Sequence, residues 1–129
     1  MAYVDGFVFV VPKGKEDAYR AMAQKANEVW RKHGALDYKE CMGEDLHPAL
    51  PEGMPADMAP NSFVDLLKAG TDDTVWFSYI VYESRAHRDE VNAAVMKDPA
   101  MNDPAWTDQP MPMDMKRMYY GGFQVEVSA

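Results

Sequence analysis

Hydrophobic residues follow a strand pattern in four segments of the chain. Residues 3–11 and 74–82 are rich in Val, Phe, Tyr and Ile and are apolar on both faces. Such strands are typical of the middle of a sheet that is covered on both sides. Residues 35–44 carry more charge, which indicates a strand at a sheet edge. Residues 114–127 form the last predicted strand, and the glycine pair at 121–122 predicts a bulge or bend within it.

Two longer segments have helical spacing. Apolar side chains recur every 3.6 residues from 14 to 33, and Gly34 stands at the expected C-terminal cap. A second helix is predicted from the capping residue Ser84 to residue 97 or 98, where Pro99 stops it. Residues 47–61 and 101–112 form two loops rich in proline and methionine, and a short helix is expected at 62–69, with Asn61 or Ser62 as its cap.

The element order predicts an α+β fold over residues 1–129, with a ferredoxin-like βαββαβ plan and an antiparallel sheet. In that plan the first and third strands are central, and these are the two strands that are apolar on both faces. Both helices pack on one face, which leaves the other without a helix. That face exceeds the apolar patches of roughly 300–600 Å² that monomers normally expose. The pattern therefore predicts a two-fold homodimer packed sheet against sheet, unless the loops rich in proline and methionine cover the face.

Composition excludes several classes of partner. The formal net charge of −8 disfavours nucleic acid and anionic membrane surfaces. No apolar run reaches membrane-spanning length, and the first residues lack the features of a signal peptide. The single cysteine, Cys41, cannot form an intrachain disulfide, so we expect a cytoplasmic protein in which Cys41 packs as a small hydrophobe.

Metal and cofactor sites have little support in the sequence. His33, His47 and His87 are isolated and lack paired-ligand spacing. No glycine-rich loop opens a helix, as a phosphate site requires. We therefore expect neither a metal nor a cofactor.

A charged cluster is the first candidate site. Asp5 interrupts an apolar central strand, and Asp114, Lys116 and Arg117 lie in the last strand, which is its neighbour in the predicted order. These charges could form a polar site for an anionic or carbonyl-bearing molecule, with Arg117 as the oxyanion or carboxylate partner. The alternative is a structural ion-pair network at a sheet edge or at the dimer interface.

His87 and Arg88 are the second candidate site. His87 lies in the first turn of the second helix, where the helix N-terminus lowers its pKa and keeps the imidazole neutral, as a general base requires. A nearby tyrosine, Tyr3, Tyr79 or Tyr82, would strengthen that interpretation. The alternative is a structural histidine that is hydrogen-bonded to a neighbouring loop.

Several segments, in order along nearly the whole chain, resemble the YbaA-like family of proteins of unknown function. They are Tyr3-Val4-Asp5-Gly6-Phe7-Val8, Gly34-Ala35-Leu36, Glu40-Cys41, Val81-Tyr82-Glu83-Ser84, Arg88-Asp89 with Asn92, Asp98-Pro99-Ala100-Met101, Met113-Asp114, Lys116-Arg117-Met118 and Tyr120-Gly121-Gly122-Phe123. The loop at 47–74 departs most from the family pattern. The resemblance implies a dimeric α/β barrel but transfers no catalytic residues.

Two functions are compatible with these observations. The first is a cofactor-independent enzyme of the oxygenase or isomerase type, which acts on a small, partly apolar molecule in the barrel cleft. The second is a non-catalytic small-molecule-binding or stress-associated dimer. A cavity of a few hundred Å³ with Asp5, His87 or Arg117 converging in it favours the first, and a cleft filled by Phe, Tyr and Met side chains favours the second.

Overall fold

The computed structural model describes residues 1–129 and contains one four-stranded antiparallel sheet with helices packed mainly on one face. The elements along the chain are β1 (Tyr3–Pro12), α1 (Glu16–Lys32), β2 (Asp37–Met42), α2 (Phe63–Leu67), β3 (Asp73–Tyr82), α3 (Arg85–Lys97), α4 (Pro104–Thr107) and β4 (Asp114–Gln124), with 3-10 turns at Ala56–Met58 and Pro99–Asn102. The strand order is β2-β3-β1-β4, which confirms the ferredoxin-like plan and the edge position of β2. No helix combines the length and the apolar character needed to cross a membrane.

The predicted caps explain where the helices begin and end. Ser84 Oγ accepts a hydrogen bond of 3.0 Å from the His87 amide at the start of α3, and Ser62 Oγ accepts one of 3.0 Å from Val64 at the start of α2. Gly34 follows α1 with a φ of 114°, in the left-handed region that favours glycine.

The core lies between the sheet and the two long helices. Odd-numbered residues of β1 and even-numbered residues of β3 face the helices, and Phe9, Trp76 and Ile80 are buried there. Tyr19 of α1 packs against Phe9 and Trp76, with ring centroids 5.2 and 5.0 Å away. These contacts fix α1 across the sheet and determine the position of the site described below.

The opposite surface, which we name the open sheet face, consists of Val4, Val8, Phe77, Tyr79, Tyr119 and Phe123. Phe77 is 44% exposed and Phe123 is 63% exposed. Only one end of this surface is covered, because α2 places Leu67 against Val10 and Val75. The prediction of a sheet face without a long helix is therefore confirmed.

Two local predictions are wrong. The register of the β1–β4 pair shifts between Val8 and Val10, whereas the glycines at 121 and 122 pair regularly with β1. Gly122 is needed for space, because a Cβ there would overlap the Tyr3 ring. Cys41 is exposed rather than packed, because it lies on β2 opposite Phe77, on the open sheet face.

Candidate functional site

A cavity of about 380 Å³ lies between α1, the helix-covered face of the sheet and the segment 100–113. Fifteen of its nineteen lining residues are hydrophobic, so it suits a largely apolar ligand. An engineered apolar cavity of about 150 Å³ holds benzene, so this volume suits a molecule of two or three fused rings. Met101, Trp106 and Met111 close one side. The second loop rich in proline and methionine therefore covers this cavity and not the open sheet face.

Glu40 and its neighbours form the polar part of the wall, which we name the polar corner: Tyr19, Tyr38, Glu40 and Ser78. Tyr19 Oη donates to Glu40 Oε2 at 2.8 Å, and Tyr38 Oη donates to Glu40 Oε1 at 3.0 Å. Ser78 is buried on β3 directly opposite Glu40, so both side chains emerge on the same face of the sheet. The Glu40 carboxylate therefore links α1 to β2, and Ser78 of β3 lies opposite it.

The Glu40 carboxylate has no basic partner. Asp5, Asp73 and Asp98 each form an ion pair with a Lys, Arg or His side chain, whereas no such group lies within 4.0 Å of Glu40. Burial raises the pKa of Glu40, and hydrogen bonds from the two tyrosines partly oppose the shift. Burial also raises the pKa values of Tyr19 and Tyr38, so both remain protonated donors. Glu40 is thus a carboxylate with a raised pKa at the wall of an apolar cavity.

The sequence-predicted residue Asp5 belongs to a different cluster. Its Oδ1 accepts a hydrogen bond of 2.7 Å from Arg88 Nη1, which also donates to Tyr120 Oη at 3.0 Å. Arg88 lies over the Tyr3 ring, with Cζ 5.0 Å from the ring centroid. Burial raises the pKa of Asp5, although Arg88 opposes the shift. The structure brings together three predicted residues, Tyr3, Asp5 and Arg88, but none of them lines the cavity.

The predicted cluster of Asp5 with Arg117 is wrong. Arg117 Nη1 donates to Asp73 Oδ2 at 2.9 Å and to the carbonyl oxygen of Lys68 at 3.0 Å, and its Nε donates to Asp114 at 2.8 Å. Asp5 pairs with Gly122, five residues beyond Arg117 on β4, and faces the helices. Arg117 faces α2 on the other side of the sheet.

Lys116 and Asp114 likewise do not line the cavity. The Lys116 side chain is exposed, and its amide donates to Asp114 Oδ1 at 3.0 Å. The pKa of Asp114 is lowered, mainly because Arg117 donates a hydrogen bond to it. Arg117 forms an ion-pair network with Asp73 and Asp114, as in the alternative interpretation of the charged cluster, and the Lys116 side chain takes no part in it.

His87 has a local structural position. Its Nδ1 accepts a hydrogen bond of 3.0 Å from the Glu83 amide, and its ring contacts Tyr82 edge-on at 5.9 Å. Gly34 lies beside the same ring, where a Cβ would be 3.3 Å from Nε2. Tyr82 is one of the neighbouring tyrosines that the general-base interpretation required, but His87 does not line the cavity, so its imidazole would not contact a ligand bound there.

No group of three or more His, Cys, Asp or Glu side chains is placed to hold a metal ion.

The polar corner was not predicted from the sequence, because Glu40 lies in a strand with several charges and those charges indicated only an edge strand. A clearer signal was available in Ser78, a small polar residue in the middle of a largely apolar central strand. A second signal was the alternation that places Glu40 on the same face as Tyr38.

Comparisons with solved structures agree with the fold. The structure of a mutant of SnoaB, a cofactor-independent oxygenase from Streptomyces nogalater, is similar with a TM-score of 0.55 and 10% sequence identity, covering 98% of this chain and 95% of the other. A dimeric ferredoxin-like protein from an uncultured marine organism is similar with a TM-score of 0.56 and 10% identity, covering 100% of both chains. At such identities these similarities support the fold alone.

Comparisons of sequence identify the family. The uncharacterized protein YbaA of Escherichia coli (strain K12) is 43% identical over 124 residues, which cover 96% of each chain. Its counterpart from Shigella flexneri matches with the same identity and coverage. Residues 2–115 match the model described as "Protein of unknown function (DUF1428)". The chain therefore belongs to the DUF1428 family, which includes YbaA and whose function is unknown.

Proposed function

We propose that the protein is a cytoplasmic, cofactor-independent enzyme of the oxygenase or isomerase type, which acts on a small, largely apolar molecule in the cavity. The observation that carries the proposal is the apolar cavity of about 380 Å³ with the polar corner on its wall. Ligand sites combine a mostly apolar lining with a few converging polar groups. Catalytic sites also tend to hold titratable groups with shifted pKa values, as Glu40 has.

We further propose that the active form is a homodimer assembled through the open sheet face. Exposed Phe77, Tyr119 and Phe123 form an apolar surface that a second copy would bury. The marine protein of similar fold is described as dimeric, which supports the same arrangement here. The cavity lies on the other face of the sheet, so each protomer would carry its own site.

Cavity binding is tested by titrating the protein with naphthalene, 2-naphthol and anthracene. Trp30 and Trp106 line the cavity, so quenching of tryptophan fluorescence reports occupancy. We expect Ala26→Phe, which places a ring in the cavity from α1, to weaken binding about tenfold or more, equivalent to 1.4 kcal/mol or more. Ala21→Phe is the matched control, because Ala21 is an exposed residue of the same helix. Equal binding by the two variants would contradict the proposal.

Catalysis is tested on the natural ligand. Native mass spectrometry of protein purified from its own host identifies any retained small molecule, which is then incubated with fresh protein and followed by liquid chromatography and mass spectrometry. A product that forms only in air indicates an oxygenase, and an isomer that also forms under nitrogen indicates an isomerase. A ligand that is returned unchanged in both would contradict the enzymatic proposal.

A ligand that is returned unchanged would favour the second candidate function, a non-catalytic small-molecule-binding protein. One observation supports this alternative: each oxygen of Glu40 already accepts a tyrosine hydroxyl. In that case the polar corner would orient a bound molecule without reacting with it.

A further inference from the structure

Glu40 connects the cavity with the solvent. A polar hollow on the outer side of α1 and β2 is lined by Arg20, Gln24, Asn27, Glu28, Lys39 and Met42. Three residues, Ala23, Tyr38 and Glu40, line both this hollow and the cavity. Glu40 is the only carboxylate that borders both spaces. A proton accepted by Glu40 from the cavity side therefore has a polar route to bulk water.

The carboxylate retains hydrogen-bonding capacity. An ionised carboxylate offers about four lone-pair sites, and the two tyrosine hydroxyls occupy two of them. The tyrosines also fix the orientation of the side chain from both oxygens. Glu40 is thus held in place and can still accept a proton or a hydrogen bond from a ligand.

The rest of the cavity wall contains a cation, a hydroxyl group and an apolar surface. Lys25 is the only cation among the lining residues, and Ser78 lies opposite Glu40 on the neighbouring strand. Phe7, Trp30 and Ile80 supply an apolar surface for a fused-ring skeleton. A ketone of two fused rings, with an acidic C–H beside its carbonyl, matches this combination of volume, apolar wall and polar corner.

We propose that Glu40 is the general base that removes a proton next to the carbonyl of a bicyclic ketone in the cavity. The C–H bond breaks, the proton moves to a Glu40 oxygen, and the electron pair remains on the ligand as an enolate with its charge on the carbonyl oxygen. The neutral Glu40 then releases the proton to water in the outer hollow, and a proton from water can return by the same route. This inference rests on the proposed function and adds the substrate class and the catalytic residue.

The test uses 2-tetralone as the ketone and 2-naphthol as a stable mimic of its enol. In deuterium oxide, reversible proton removal replaces the acidic hydrogens of 2-tetralone with deuterium, which mass spectrometry measures. We expect the wild-type protein to accelerate this exchange and Glu40→Gln to lose about 100-fold or more of the acceleration, as general-base catalysis contributes roughly 10²–10⁴-fold. Glu90→Gln is the matched control, because Glu90 is exposed on α3 and lines neither the cavity nor the hollow, and it should keep the wild-type rate.

The possible outcomes separate this inference from the proposed function. Fluorescence titration first shows whether 2-naphthol occupies the cavity of the wild type and of Glu40→Gln. If 2-naphthol binds to both, but the exchange of 2-tetralone is equally fast with both, the role of Glu40 is overturned while binding in the cavity stands. If 2-naphthol does not bind, or binds equally to Ala26→Phe, the inference and the proposed function both fail. Loss of exchange in Glu90→Gln as well would also overturn the assignment to Glu40.

Discussion

The buried ion pair between Asp5 and Arg88 gives the sharpest prediction about stability. The atoms Asp5 Oδ1 and Arg88 Nη1 lie 2.7 Å apart, and the two side chains are 2% and 13% exposed. Removal of one member of such a pair leaves a buried charge without its partner, which typically costs about 3–5 kcal/mol. We therefore expect Arg88→Met to lower the free energy of unfolding by about 3–5 kcal/mol.

The other single variant should be milder. In Asp5→Asn, Arg88 keeps its second carboxylate partner, the exposed Asp89 at 2.7 Å. Asp5→Asn should therefore lower the free energy of unfolding by about 1.5–3 kcal/mol, the contribution of one hydrogen bond between charged groups. The double variant contains neither buried charge, so the sum of the single effects should exceed the measured double effect by roughly 1.5–3 kcal/mol.

Urea unfolding followed by circular dichroism measures these free energies, at one fixed protomer concentration because association shifts apparent stability. The matched control combines Asp5→Asn with Arg117→Met. These two side chains lie on opposite faces of the sheet, so their effects should add within about 0.3–0.5 kcal/mol. Additive effects of Asp5→Asn and Arg88→Met within the same margin would refute the assigned pair.

Three further predictions concern acid stability, the core and assembly. Hydrogen bonds from the Ala100 amide, His33 and Lys32 lower the pKa of Asp98 in the folded state. The ionised carboxylate therefore stabilises the fold fully above the unfolded-state pKa, and this stabilisation is lost as the pH falls through the lower folded-state pKa. Asp98→Asn should be less stable than the wild type at pH 7, and the urea midpoints of the two proteins should converge as the pH falls below about 4. Trp30→Ala should cost about 3 kcal/mol in urea unfolding, the lower end for a buried tryptophan, since Trp30 is half-buried; a loss below about 1 kcal/mol would contradict its place in the core. Phe123→Ser should weaken self-association in sedimentation equilibrium, where wild type should have twice 14.6 kDa; a wild-type monomer would exclude the proposed dimer.

The fold could be predicted because its signals are local and repeated. Strands that are apolar on both faces must be central, and a helix with one apolar stripe must pack that stripe on the sheet. Ser62, Ser84 and Gly34 mark helix ends through hydrogen bonds or backbone angles that involve only near neighbours. Each of these features can be recognised from a few adjacent residues.

The site could not be predicted in the same way, because it depends on register and on distant segments. The strand order placed β4 beside β1 correctly, but the register puts Gly122 rather than Arg117 opposite Asp5. Glu40 accepts a hydrogen bond from Tyr19 only because α1 packs on the sheet next to this part of β2. The cavity also depends on the segment 100–113, whose path over the helices has no periodic signal in the sequence.

The most direct test of the account locates a bound ligand by NMR. Backbone amide shifts of ¹⁵N-labelled protein are followed during titration with 2-naphthol, and the same titration is repeated with Ala26→Phe. We expect saturable shifts at Ala26, Ser78, Met101 and Thr107, which line the cavity, and their loss in Ala26→Phe. Saturable shifts confined to Phe77, Tyr119 and Phe123 on the open sheet face, or no saturable shifts at all, would contradict the claim that the cavity is the functional site.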